Sequence, residues 1–220
     1  MSKDAKKIKP ASLKIFQKFG WLVLRPILKL LTGYRFLTDG DINDLKRPLL
    51  IIANHQTFLD PALIGTVLPL NCPVYPIYFM TKGAIMATPI LGGFLKLCGA
   101  FAARRGEGME NALKQSEQIL QSGYSVVFFP QGKLFPEFKI EQGRAGVSAL
   151  ALQTGVSILP VAILGLANFS WKNFFLRRYK VKIIIGQPFL LKEKLDQFNA
   201  AGNIEVGTQI IMREIKKLME

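Results

Sequence analysis

The chain has 220 residues, half of them hydrophobic, which suits one domain with a substantial buried core. Lysine and arginine outnumber aspartate and glutamate by 29 to 15, so the net charge is +14 and an anionic partner is expected: phosphate, an acidic membrane surface or nucleic acid. Two cysteines, Cys72 and Cys98, have the spacing of neither a metal site nor a disulfide scaffold, which excludes both and indicates reduced thiols in a cytosolic protein.

The first predicted element is a helix over residues 13–31, with Ser12 as a candidate N-cap. Apolar side chains cover most of its surface and leave a narrow basic stripe of Lys14, Lys18, Arg25 and Lys29. The helix is just long enough to span a bilayer, but spanning would place a cation near the bilayer centre at roughly 2.5 to 3.5 kcal/mol. Lying flat lets each cation gain about 1 kcal/mol from anionic lipids, so we expect a helix in the membrane interface. The alternative is a core helix packed on its own domain.

Apolar runs separated by turns predict an alternation of strands and helices over the rest of the chain. The predicted strands are residues 48–53, 74–80, 99–103, 125–129, 157–164 and 180–185, and the predicted helices are residues 61–68, 82–97, 109–121, 145–153 and 204–219. This alternation predicts a single α/β domain with a largely parallel, mixed sheet flanked by helices. We divide the chain into a basic N-terminal segment with its amphipathic helix, residues 1–33, and a main domain, residues 34–220.

One short stretch, residues 54–61, holds the only histidine of the chain, His55, and Asp60 five residues later. General-base chemistry at pH 7 falls to His55, because imidazole titrates near neutrality. A turn from strand to helix would let the two side chains meet. Asp60 would then cap the helix with one oxygen and accept Nδ1–H with the other, leaving Nε2 free to take a proton. The simpler interpretation is that Asp60 only caps the helix before Pro61 and that His55 is an ordinary loop residue.

Asn54, His55 and Asp60, with four residues between the last two, resemble the signature of the glycerophospholipid acyltransferase superfamily, typified by the 1-acyl-glycerol-3-phosphate (lysophosphatidic acid) acyltransferases. Three further blocks follow in the family's order, so that the resemblance covers about residues 48–164. The second block, residues 99–105, ends in Arg105, at a position that in the family helps to bind the phosphate of the acceptor. The third is residues 129–132, and the fourth is the hydrophobic segment 159–162.

The third block departs from the family's usual Phe-Pro-Glu-Gly-Thr-Arg, because Gln131, Lys133 and Leu134 replace the glutamate, threonine and arginine. A neutral amide keeps the shape of a carboxylate but loses its charge, and a lysine can replace a guanidinium only as a point charge. The resemblance implies His55 and Asp60 as catalytic residues. It implies substrate binding by Arg105, Gln131, Gly132 and Lys133.

The activity implied by the resemblance is transfer of a fatty acyl group from an acyl thioester, carried by coenzyme A or acyl carrier protein, to the free hydroxyl of a lysophospholipid. The foremost acceptor is 1-acyl-sn-glycerol-3-phosphate, which would give phosphatidic acid. Alternatives are another lysolipid or a glycolipid acceptor, which Gln131 and Leu134 favour, or a catalytically silent membrane-binding relative. We expect no metal and no cofactor beyond the thioester, and a peripheral or monotopic protein at the cytoplasmic face of an anionic membrane.

Residues 171–180 mix aromatic and basic side chains, among them Trp171, Phe174, Arg177 and Arg178. This mixture suits a lipid headgroup region, and it also suits single-stranded RNA or a strand edge with ordinary packed aromatics. Charge alone leaves nucleic acid open, but the combination of apolar and basic composition favours lipid, so no nucleic-acid partner is expected.

Overall fold

A seven-stranded sheet crosses the computed structural model of the chain, which describes residues 10–102 and 108–220. The strands are β1 Arg35–Thr38, β2 Leu49–Ala53, β3 Ile77–Met80, β4 Ala100–Phe101, β5 Ser125–Phe128, β6 Ser157–Leu164 and β7 Lys182–Ile185. They lie side by side in the order β1, β7, β6, β2, β5, β3, β4. Every neighbouring pair is parallel except β6 and β7. The carboxyl ends of β2, β3, β4, β5 and β6 therefore share one edge.

Helices cover both faces of the sheet. Those in the described ranges are α1 Pro10–Thr32, α2 Asp60–Val67, α3 Gly83–Met86, α4 Pro89–Leu97, α5 Gly108–Gln121, α6 Gly146–Thr154, α7 Trp171–Phe175, α8 Leu191–Gln197 and α9 Ile204–Lys217. One core lies under α1, α2 and α7, and the other under α5, α6, α8 and α9. Successive residues of β2 serve the two cores in turn, with Ile51 in the first and Ile52 in the second, as the two-residue repeat of a strand requires. The predicted α/β class and its largely parallel, mixed sheet are confirmed.

Two predicted segments, residues 82–97 and 171–180, differ from the structure in more than their bounds. The single helix predicted over residues 82–97 is two helices, α3 and α4, because Thr88 precedes Pro89 and takes the extended conformation that a following proline imposes. Within residues 171–180, the strand-edge alternative is wrong: Trp171–Phe175 is the short helix α7, whose first turn is capped by the Ser170 hydroxyl accepting from the Asn173 N–H at 3.2 Å.

Helix α1 packs on α2 and is tied to the sheet at both ends. Near its start, the Gln17 side chain donates to the carbonyls of Ile77 and Cys98 at 2.6 and 2.9 Å and accepts from the Ile77 N–H at 3.0 Å. At its end, the Thr32 carbonyl accepts from the Val181 N–H at 3.3 Å, next to β7. The helix therefore reaches from β3 to β7 across one face of the sheet.

Arg25 does not belong to a lipid-facing basic stripe. Its guanidinium donates to the carbonyls of Thr66 and Val67 at 2.8 and 2.9 Å, at the carboxyl end of α2, and lies 4.6 Å from the Trp21 ring centroid. Carbonyls at a helix end have no partner within the helix, so a cation there is stabilised. The predicted stripe keeps Lys14, Lys18 and Lys29. Among the described residues, no helix is both long enough and apolar enough to cross a bilayer.

Candidate active site

His55 lies just beyond the carboxyl end of β2, in the loop that leads into α2. The neighbouring strand β5 pairs in parallel with β2, with Ile52 opposite Phe128, so the segment that follows β5 emerges at the same edge. In open parallel sheets, ligands bind at this edge. The first and third blocks of the sequence therefore meet in space.

The imidazole of His55 is hydrogen-bonded to Asp60. Nδ1 lies 2.8 Å from Oδ2, the histidine side chain is 18% exposed and the aspartate side chain is fully buried. With Nδ1–H donated to the carboxylate, the lone pair of Nε2 is left to accept a proton. The structure thus contains the predicted contact between these two side chains.

The Asp60 carboxylate does not cap α2, contrary to our expectation. Asp60 is the first residue of the helix, and its Oδ2 accepts the backbone N–H groups of Gln56 and Thr57 at 2.7 and 2.8 Å, while Oδ1 accepts the Thr57 hydroxyl at 3.0 Å. The chain turns between residues 55 and 60, so these loop donors point inward at the carboxylate. A buried carboxylate needs such donors, and here they also fix the loop that carries His55.

The ring and the backbone of His55 both contact the segment that follows β5. Its ring stacks on Phe129 with centroids 4.0 Å apart and planes inclined by 18°. Its backbone N–H donates to Gln131 Oε1 at 2.9 Å, and its carbonyl accepts from the Phe135 N–H at 2.8 Å. Ring and backbone are thus both held by the segment that follows β5.

Asn54 supplies a second anchor for the loop. Its side-chain amide donates to the Ile163 carbonyl and accepts the Ile163 N–H, both at 2.7 Å. This pair of bonds ties the end of β2 to β6 and fixes where the next residue, His55, begins. No role of its own is predicted for Asn54 from the sequence, although its position directly after a buried strand and before the histidine indicates that it could anchor the loop.

Gln131 is 1% exposed, and both ends of its amide bond to protein groups. Such burial does not fit the predicted direct contact with substrate. Gly132 has φ of +69°, a left-handed conformation that favours glycine, and a Cβ there would lie 2.8 Å from Arg144 Nε. Lys133 is exposed, with Nζ 4.8 Å from the Phe135 ring centroid.

Arg144 is a cation beside Gly132 that was not predicted from the sequence. Its exposed guanidinium lies against Gly132, and within residues 10–102 and 108–220 no hydrogen bond or ion pair engages it. The absence of an arginine at position 134 was the signal that another cation could stand nearby. Arg105 falls outside the described residues, although β4, which precedes it, ends at the same edge of the sheet.

Cys72 is buried in the core and Cys98 is half-buried. Burial raises the pKa of the Cys72 and Cys98 thiols above its ordinary value, so neither is a thiolate nucleophile near neutral pH. Across the two described ranges, no group of three or more histidine, cysteine, aspartate or glutamate side chains is placed to hold a metal ion.

Comparisons with known proteins identify sequences and a solved structure that are similar to this chain. The chain is 28% identical over 145 residues to the chloroplastic 1-acyl-sn-glycerol-3-phosphate acyltransferase LPAT1 of Arabidopsis thaliana, an alignment that spans 64% of this chain and 39% of that relative. It is 31% identical over 120 residues to the lyso-ornithine lipid O-acyltransferase of Pseudomonas aeruginosa, spanning 54% of this chain and 43% of the relative.

Among solved structures, the 1-acyl-sn-glycerophosphate acyltransferase PlsC of Thermotoga maritima is similar in fold, with a TM-score of 0.60 at 21% identity over 94% of this chain and 79% of that one. A model of the Acyltransferase family matches residues 34–164, more than half of the chain, and includes both the His55 loop and the segment that packs on it. The chain belongs to the Acyltransferase family.

Proposed function

We propose that the protein is an O-acyltransferase that moves a fatty acyl group from an acyl thioester to the free hydroxyl of a lysophospholipid. The proposed acceptor is 1-acyl-sn-glycerol-3-phosphate and the product phosphatidic acid. The observation that carries the proposal is the 2.8 Å contact between His55 Nδ1 and the buried Asp60 carboxylate, beside a ring that is still partly open to solvent.

The reaction follows from the orientation of the imidazole. Nε2 removes the proton of the acceptor hydroxyl while the hydroxyl oxygen attacks the thioester carbonyl. The tetrahedral intermediate then collapses, the carbon–sulfur bond breaks and the departing thiolate takes the proton from Nε2. Asp60 holds the tautomer and stabilises the imidazolium formed in between. No acyl-enzyme is required, because the acceptor itself is the nucleophile.

The phosphate of the acceptor would be held by basic side chains. Lys133 and Arg144 both flank Gly132, and Arg105 follows β4 in the chain. Arg144 offers the planar, bidentate donor that position 134 lacks. Arg144 therefore joins Arg105 and Lys133 as a proposed ligand of the acceptor's anionic group.

A lysolipid without a phosphate is the second candidate acceptor. It is favoured by the relative named a lyso-ornithine lipid O-acyltransferase and by the departures at Gln131, Lys133 and Leu134. His55 and Asp60 would have the same roles with this acceptor, since only the groups that bind the acceptor's headgroup would differ.

The proposed location is the surface of an anionic membrane. Helices α1 and α4 touch through Phe16 and Phe94, whose ring centroids are 6.3 Å apart, and each presents a row of exposed apolar side chains. We call this the α1–α4 surface; it consists of Ile15, Phe19, Leu22, Ile27, Leu30, Ile90, Leu91, Phe94 and Leu97. Ile90 is 90% exposed, and a net charge of +14 complements anionic lipid.

The experiment that tests the function uses purified protein, a panel of lysolipids that includes lysophosphatidic acid and lyso-ornithine lipid, and both a long-chain acyl-CoA and an acyl carrier protein donor. Mass spectrometry should detect the diacyl product of at least one lysolipid. Replacing His55 by alanine should lower turnover by about 10² to 10⁴-fold, the range for loss of a general base. Activity that is unchanged in this variant, or no product with any acceptor, would refute the proposal.

A further inference from the structure

The orientations of two side-chain amides behind His55 are fixed by backbone groups. Gln131 Oε1 accepts the N–H of His55 at 2.9 Å, so Nε2 must point the other way, where it donates to Gln142 Oε1 at 2.6 Å. Gln142 Oε1 also accepts the Lys139 N–H at 3.2 Å. Backbone N–H groups can only donate, so neither amide can rotate without losing a bond.

An ionised glutamate at position 131, the residue usual in the family, would cost this arrangement a hydrogen bond. One carboxylate oxygen would still accept the His55 N–H, but the other would face Gln142 Oε1, and two acceptors would meet with no proton between them. Rotating the Gln142 amide would replace that contact by a hydrogen bond, but the Lys139 N–H would then lose its acceptor. A glutamate at position 142 has no such conflict, because the Gln131 amide would still find an acceptor.

We propose that Gln131 is a positioning residue, and that Gln131 and Gln142 form a matched pair of neutral amides that fixes the backbone of His55. The kinetic part of this inference rests on the proposed function, in which His55 is the base. Gln131 is thus assigned to the support of the base and not to contact with the acceptor.

Several charged residues lie around His55 besides positions 131 and 142. Asp60 is the carboxylate in direct contact with the ring. The loop that packs on His55 carries further charges at Lys133, Glu137, Lys139, Glu141 and Arg144. The variants below leave all of these residues unchanged, so a difference between variants reports on positions 131 and 142.

The kinetic test compares Gln131→Met, Gln131→Glu and Gln142→Glu with Gln118→Glu, a control that adds the same charge at an exposed position of α5. Gln131→Met keeps the volume and removes both bonds. We expect kcat to fall about tenfold or more in both Gln131 variants with KM within about twofold, and to stay within about threefold of wild type in Gln142→Glu. A wild-type kcat in Gln131→Met, or equal losses in Gln131→Glu and Gln142→Glu, would overturn the inference.

A second readout needs no activity. His55 is the only histidine of the chain, so its imidazole C–H resonances in an NMR spectrum are unambiguous when the purification tag contains no histidine. Gln131→Met removes the bond to the His55 N–H and should shift these resonances from their wild-type positions, while Gln118→Glu should leave them unchanged. Identical resonances in wild type and in folded Gln131→Met would contradict the proposal.

The two proposals fail in different ways. If wild-type protein acylates no lysolipid, the proposed function fails, while the NMR spectra still test the amide pair. If wild-type protein is active and Gln131→Met matches it in kcat and in the His55 resonances, the function stands and the positioning role is refuted. Far-UV circular dichroism and thermal melting of each variant establish that the folded protein is being compared.

Discussion

At the scale of single residues, Asp60 performs two tasks with one buried carboxylate: it holds the His55 ring and it collects the donors of the loop. Asp60→Asn would keep one oxygen for the N–H groups that Oδ2 now accepts, but it would lose the negative charge that strengthens these bonds and stabilises the imidazolium. We expect kcat to fall by about 10²-fold or more and the free energy of unfolding by about 1 to 3 kcal/mol. Steady-state kinetics and denaturant unfolding measure the two effects.

Asp41→Asn is the matched control for this prediction. Asp41 is exposed and accepts the Asn43 N–H at 2.8 Å, a bond that an asparagine oxygen can also accept. Both rate and stability should stay near wild type. A kcat that is unchanged in Asp60→Asn, with the protein folded, would remove Asp60 from the mechanism.

How far the residues of the site could be predicted depends on whether their signal is local. His55 and Asp60 lie five positions apart, and the contact between them could be inferred from one turn of the chain. The bonds from Gln131 to His55 and Gln142 span 76 and 11 positions, and the approach of Arg144 to Gly132 depends on how a whole loop folds back. Composition and spacing do not indicate such long-range contacts. Gln131 was therefore predicted to bind substrate, and Arg144 was not predicted at all.

At the scale of elements, the α1–α4 surface predicts which exposed apolar side chains bind lipid, and this can be distinguished from non-specific hydrophobic binding. Phe19→Asp on α1 and Ile90→Asp on α4 should each lower the fraction of protein that floats with anionic liposomes. Each withdraws one large apolar side chain, worth about 1.5 to 3 kcal/mol when buried, from the membrane. The expected loss is therefore about tenfold or more in the partition coefficient.

Phe198→Asp is the control at this scale, since Phe198 is also exposed but lies at the end of α8. It should float like the wild type. Equal binding by all three variants would show that α1 and α4 do not form the membrane contact.

The elements that sequence analysis missed were those with weak patterns. β1 has only four residues, three of them exposed, and it pairs only with β7 in the described sheet, so it shows neither an apolar run nor a clean alternation. By contrast, β6 was predicted with its observed bounds, because a buried strand of a sheet covered on both faces is a continuous apolar run. Helix α7 was hidden by its mixture of aromatic and basic residues, which suits several structures.

At the scale of the whole molecule, the net charge of +14 predicts that membrane association depends on salt. Raising the ionic strength from about 0.05 to 0.5 M shortens the range of the charge interactions severalfold. Binding to vesicles that contain anionic lipid should therefore weaken strongly, while the weaker binding to zwitterionic vesicles should change little. Flotation at several salt concentrations measures this, and a salt-independent fraction on anionic vesicles would contradict it.

The overall class of the fold could be predicted because strands and helices alternate with clear turns. The strand order and the reversal at β7 could not, because both depend on which strand completes the sheet next to β6. The side of α1 that meets the domain also escaped prediction. Arg25 resembles its neighbouring cations in sequence, and only the end of α2 beside it distinguishes them.

The attachment of α1 at Gln17 and at Thr32 has a mechanical consequence. A helix joined to β3 near one end and to the chain beside β7 at the other cannot swing out from the sheet without breaking both joints and uncovering Leu13 and Leu28. Any force that a lipid film exerted on this helix would therefore be felt by the entire sheet, so at the proposed membrane the protein would dock and depart as one body.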